Sequence, residues 1–154
     1  MRVLFLDVDG VLNNSRPKND FSIYFENCYP AFDDICVKLI KRLVEEEKLT
    51  IVLSSAWREY GWATDSLKRF LKLYDLEIFD RTPIFPNMRD RRGWEIQEWL
   101  ARHPDVKEYV IIDDINNMGN LSGKLVQTDE RVGFVYRDFL KAKEILRKEK
   151  NGES

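Results

Sequence analysis

Residues 2–12 read RVLFLDVDGVL, and the reading of this stretch decides the fold. Val3, Leu4, Phe5 and Leu6 form an unbroken apolar run. The run is too short for a good helix and lacks the polar alternation of a half-buried strand. It predicts a strand covered on both faces, as in a parallel sheet. Yet it ends in Asp7 and Asp9, and Gly10 then stops it. Ionised carboxylates beside a buried strand are costly unless a cation or a partner compensates them. Strand alternation sends Asp7 and Asp9 the same way and Val8 into the packing. Gly10 lets the backbone turn and lets its N–H approach a phosphate.

Two later segments repeat the pattern. LTIVLSS (49–55) is a second buried strand ending in Ser54 and Ser55, and KEYVIIDD (107–114) is another, ending in Asp113 and Asp114. LEIF (76–79) and KLVQT (124–128) predict two weaker strands. Between them lie helical periodicities. Residues 31–47 carry Ile35, Leu39, Ile40, Leu43 and Val44 at helical spacing; residues 63–74, 93–103 and 137–150 predict three further helices. In the third, Ile96, Trp99 and Leu100 share one face, and Trp94 and Trp99 are expected in the packing. Residues 13–30 are polar, broken by Pro17 and Pro30, and read as a loop or flap.

Strands alternating with helices predict an α/β fold with a mostly parallel sheet and helices on both faces. In such open sheets the ligand crevice lies beyond the carboxyl ends of the strands. Three polar strand endings therefore converge on one edge. Residues 1–150 are expected to form a single domain, with 151–154 a polar tail.

Bulk composition narrows the function classes. The 154 residues are 44% hydrophobic and 12% aromatic, which excludes a disordered chain. The net charge of −2 gives no global basic signature of nucleic-acid binding. Cys28 and Cys36 form no C-x-x-C pair, against a zinc or redox motif, and Cys36 reads as a small buried hydrophobe. No signal peptide precedes Arg2, and no apolar run approaches the ~20 residues that span a bilayer. The expectation is a soluble, cytoplasmic protein with no membrane partner and no evident obligate protein partner. The one histidine, His103, falls near a helix C-terminus and is not expected to be catalytic.

Four clustered carboxylates repel, so either some stay protonated or a hard divalent cation neutralises them. Oxygen donors without nearby His or Cys favour Mg²⁺, which usually meets substrate phosphate. A carboxylate can attack phosphorus to give an acyl phosphate. A second carboxylate on the same loop can protonate the leaving oxygen and later deprotonate water.

In order, DVDGVL, IVLSS, an Arg opening a helix and VIIDD resemble the four motifs of the haloacid dehalogenase-like (HAD) superfamily. SSAWRE, RRGWEIQEWL and VIIDDINNM more narrowly resemble the small HAD domains grouped with Swiss Army Knife RNA repair proteins. The resemblance runs from Arg2 to about Thr128. It implies a three-layer α/β/α Rossmannoid fold with a five-stranded sheet in the order 5-4-1-2-3. It also implies roles. Asp7 would be the nucleophile, and Asp9 the general acid/base with its backbone carbonyl on the metal. Ser54 would bind a phosphoryl oxygen, assisted by the Ser55 N–H. Arg92 would replace the usual motif-three Lys, with Arg91 as the competing candidate. Asp114 would ligate Mg²⁺ directly, and Asp113 would support it. Where many relatives carry a further acid, this chain has Asn116 and Asn117.

Relatives that act on small metabolites usually carry a large cap. Here the gap at 13–30 has room only for a flap, and residues 57–91 are filled by a helix, a strand and a loop. A capless or minimally capped, open site resembles relatives that act on macromolecules. Arg16, Lys18, Trp57, Arg58 and the Arg-rich segment 89–92 are candidates to line it. Arginine and aromatic side chains together hold a phosphate and stack a base. The expected function is Mg²⁺-dependent phosphomonoester hydrolysis at a nucleic-acid end or other large phosphorylated substrate. Alternatives are a phosphotransferase, a dehalogenase, or a non-catalytic phosphate-sensing or protein-interaction domain.

Overall fold

The computed structural model describes residues 1–15, 22–25 and 28–150. Five strands form one sheet: β1 (Arg2–Leu6), β4 (Thr50–Leu53), β5 (Ile78–Arg81), β6 (Glu108–Asp113) and β7 (Leu125–Gln127). Their order is β5-β4-β1-β6-β7 and every pairing is parallel. This is the expected order with the Asp7 strand at the centre. A separate antiparallel pair, β2 (Ser22–Phe25) with β3 (Cys28–Asp33), lies in the stretch expected to be a loop or flap. A two-stranded ribbon has only edge strands, so Pro30 within β3 removes no inner ladder bond. Arg16 and Lys18 fall outside the described residues.

The sheet is apolar on both faces because its side chains alternate between two cores. Leu4, Leu6, Ile51, Leu53, Val110 and Ile112 face one side. There they meet Val37, Ile40 and Leu43 of α1 (Asp34–Glu47), Leu67, Phe70 and Leu71 of α2 (Gly61–Lys72), and Phe139, Ala142 and Leu146 of α4 (Tyr136–Lys150). Val3, Phe5, Val52 and Ile111 face the other side, against Ile96 and Trp99 of α3 (Arg91–Ala101), with Met118 and Leu121. Each fully buried aliphatic side chain contributes about 1.5–3 kcal/mol, so the central strands need no polar face to be held. Ile35, expected on the buried face of α1, is exposed; the buried stripe runs through Cys36, Val37, Ile40 and Leu43. Trp94, expected in the packing, is 55% exposed, whereas Trp99 is buried with its ring edge-on to Phe5. In the first turn of α3 Gly93 is buried against Met118, while Trp94, on the opposite side of the helix from Ile96, faces solvent.

No helix among the described residues is long and apolar enough to cross a membrane. Between β4 and α3 the described chain forms a 3₁₀ turn (Ala56–Glu59), α2, β5 and a loop.

Candidate active site

The parallel register brings three strand ends level. Leu6 lies opposite both Leu53 and Ile112. One residue further on, Asp7 N donates to Ile112 O at 3.1 Å and Ser54 N donates to Leu6 O at 3.0 Å. Asp7, Ser54 and Asp113 thus stand side by side, all buried. One oxygen from each of Asp7, Asp113 and Asp114 lies within 4.8 Å of the others.

Arg92 answers part of this negative charge. Its Nη1 donates to Asp113 Oδ2 and lies 3.4 Å from Asp7 Oδ1. Burial pulls the guanidinium down, but Asp113 and Asp7 more than offset it, so its pKa is raised. One cation does not balance the cluster. Burial, then the charge of Asp7, holds Asp113 above the usual carboxylate range despite Arg92. Burial and Asp7 likewise raise Asp114. Asp113 is also tied through Oδ1, which accepts from Ile115 N at 3.0 Å. Arg91 turns away from the cluster, pairing with Glu59 at 2.9 Å and Glu95 at 3.2 Å. Of the two candidate arginines, Arg92 is therefore the one at the acids.

Gly10 is required here for two reasons. Its φ is +77°, and a Cβ on it would fall 2.7 Å from Asp114 Oδ2. Its N–H does not face a ligand as the sequence suggested. It donates to Asn13 Oδ1 at 2.9 Å, because Asn13 in the following turn folds back over it. The same Asn13 donates from Nδ2 to Asp9 Oδ1 at 2.9 Å, and Trp57 Nε1 donates to Asp9 Oδ2 at 3.0 Å. Asp9 itself is exposed, beside the buried cluster.

The Ser54 hydroxyl is fully buried and has no hydrogen-bond partner among the described residues. Ser55 Oγ accepts from Trp57 N at 3.1 Å and so caps the 3₁₀ turn. Trp57 and Arg58 were expected to line the crevice. Trp57 is packed against Phe32, and Arg58 is buried. The Arg58 guanidinium donates to the carbonyls of Ser54 (3.0 Å), Ser55 (2.6 Å), Thr82 (3.1 Å) and Pro83 (3.1 Å), and pairs with Glu95. Burial, with Arg92 nearby, pushes its pKa down to about 10, which leaves it charged. Five acceptors in one place drew it inward. The exposed aromatics of this segment are instead Tyr60 and Trp62, with ring centroids 6.3 Å apart.

Asn117 Nδ2 donates to Asp90 Oδ1 at 3.1 Å, tying the loop after β6 to the start of α3, and Asn116 is exposed. His103 stacks on Trp99 at 3.7 Å, and its Nδ1 lies 2.7 Å from Trp99 O.

The donors suit a hard cation. They are carboxylate oxygens only, and two of them sit in surroundings that favour protonation unless a positive charge arrives. No curated protein and no solved structure matches the chain. Residues 3–139 match the family described as the HAD domain in Swiss Army Knife RNA repair proteins. That match covers nearly the whole chain, and this protein belongs to that HAD family.

Proposed function

We propose that the protein is a Mg²⁺-dependent phosphomonoester hydrolase acting through an aspartyl-phosphate at Asp7, on phosphorylated nucleic-acid ends. The carrying observation is the gathering of Asp7, Asp113 and Asp114 oxygens within 4.8 Å, beside a buried Ser54 hydroxyl that has no partner among the described residues. Buried polar groups rarely go unsatisfied, and a phosphoryl oxygen is an acceptor Ser54 could satisfy. Asp7, Asp114 and the Asp9 carbonyl would hold Mg²⁺, with Asp113 supporting from behind. When bound, the ion neutralises charge on the phosphoryl oxygens and on the acids around it.

Asp7 Oδ attacks phosphorus, the ester P–O bond breaks, and its electron pair leaves with the departing oxygen. The Asp9 carboxyl gives that oxygen a proton. Water then attacks the acyl phosphate, Asp9 takes its proton, and inorganic phosphate leaves with the Asp7 carboxylate restored. Ser54 and Arg92 stabilise the equatorial oxygens. Motif two leads through the 3₁₀ turn to exposed Tyr60 and Trp62, and base stacking on such rings is worth about 1–3 kcal/mol per base.

The test is phosphate release from a panel of nucleotides, sugar phosphates, phosphopeptides and 3′- or 5′-phosphorylated oligonucleotides, with Mg²⁺ or with chelator. Chelator-sensitive release that favours the oligonucleotides is expected. Chelator-insensitive release, or preference for a small metabolite, would contradict the proposal. An acyl phosphate on Asp7 that persists for minutes would favour the sensing alternative.

A further inference from the structure

We infer that Trp57 and Asn13 are positioning residues that aim the Asp9 carboxyl at the leaving oxygen; the inference deepens the hydrolase reading and rests on it. Asp9 is exposed, and a free aspartate there would sample several rotamers. Both of its oxygens are held instead, by donors from two different elements. Asn13 comes from the turn after β1 and is 1% exposed. Its amide is fixed end for end, because Oδ1 accepts from Gly10 N while Nδ2 donates to Asp9. Trp57 comes from the 3₁₀ turn after β4 and is 9% exposed. Its backbone N–H donates to Ser55 Oγ, and its ring lies 5.5 Å from that of Phe32.

Two donors from separate anchors fix both torsions of a short side chain. Each oxygen keeps a second lone pair, so the proton delivered to the leaving group has a place to ride. A buried indole N–H needs an acceptor in any case. Packing alone would be served by any acceptor. Here the acceptor is the second acid of the D-x-D pair, and Asn13 approaches its other oxygen. The Trp57 contact also links the β1 loop, which carries Asp7 and Asp9, to the loop that carries Ser54. Positioning of this kind lowers the entropy lost when the proton is transferred.

Trp57→Phe keeps an aromatic ring in the core but removes the N–H together with part of the indole's volume, and a packing loss alone would weaken turnover of both test esters alike. General acid catalysis matters most when the leaving oxygen is strongly basic. The experiment compares kcat/KM for an alkyl phosphate with that for 2,4-dinitrophenyl phosphate, whose leaving group needs no proton. The expected loss in Trp57→Phe is about tenfold or more on the alkyl ester and under about twofold on the dinitrophenyl ester. Asn13→Ser should show the same selective loss, and adding Trp57→Phe to Asp9→Asn should cost nothing further on the alkyl ester. Equal losses on both esters, or none on either, in variants whose thermal melts stay cooperative would overturn the inference while leaving the hydrolase reading intact. A wild-type protein inert toward every phosphomonoester sinks the hydrolase reading, and this inference with it.

Discussion

Ser54 brings one hydroxyl into a fully buried position with no hydrogen-bond partner among the described residues. Such a group costs about 1–3 kcal/mol of desolvation in the free protein. Ser54→Ala should therefore leave urea stability equal or raise it by about 1 kcal/mol, while kcat/KM falls by about two orders of magnitude. A variant that loses stability and keeps activity would mark the hydroxyl as a structural group. Gly10→Ala should do the reverse in kind. It forces a Cβ to 2.7 Å from Asp114 Oδ2 at a positive φ, so a destabilisation of about 1–3 kcal/mol is expected in the same urea titration. At this scale the acids were legible in the sequence, because a carboxylate ending a buried strand has few bland explanations. Asn13 and the indole N–H of Trp57 were not, since their importance lies in a contact with Asp9 across separate elements. The inward turn of Arg58 is not legible in the sequence for a related reason. An arginine bound for four inward carbonyls and one bound for a crevice look alike in a loop until the carbonyls are placed.

The elements meet at the site through a buried ionic tie. Arg58 in the 3₁₀ turn joins Glu95 of α3, which also takes Arg91, and Arg91 reaches back to Glu59 in the turn. This tie holds the loop of Ser54 against the helix that presents Arg92. Glu95→Gln leaves the Arg58 guanidinium buried without its charge partner, and should cost about 3 kcal/mol in denaturant unfolding. Replacing both partners, as Arg58→Met with Glu95→Met, should cost less than the sum of the two single changes. Strictly additive losses would show that the pair is not coupled. The strong strands and the helices were readable as elements, since their apolar periods persist over many residues. The β2–β3 ribbon was not, because turn-forming residues and Pro30 obscure its alternation. Trp94 faces outward because it stands about 200° around α3 from Ile96, and its aromatic character alone does not put it on the face that packs against the sheet.

At the scale of the whole molecule, a parallel sheet with two buried faces sets its acids together and leaves them short of positive charge. Asp113 and Asp114 bind their protons more tightly in the folded protein than at the ordinary value of 3.8. The folded state then holds more protons than the unfolded state once the pH passes that value. Stability of the metal-free protein should fall as pH rises from there through the raised folded values, and level off above them. Mg²⁺ replaces those protons, so melts in Mg²⁺ and in chelator should diverge as pH increases. A separation that stays constant or narrows would contradict the placement of the ion among these acids. The most direct test of the proposed chemistry is chemical trapping of the acyl phosphate. Protein turning over a phosphomonoester is quenched, reduced with borohydride and mapped by peptide mass spectrometry. The expected result is conversion of Asp7 to homoserine, dependent on Mg²⁺ and lost with chelator. Conversion at another acid, or active turnover with Asp7 unmodified at every time point, would contradict it.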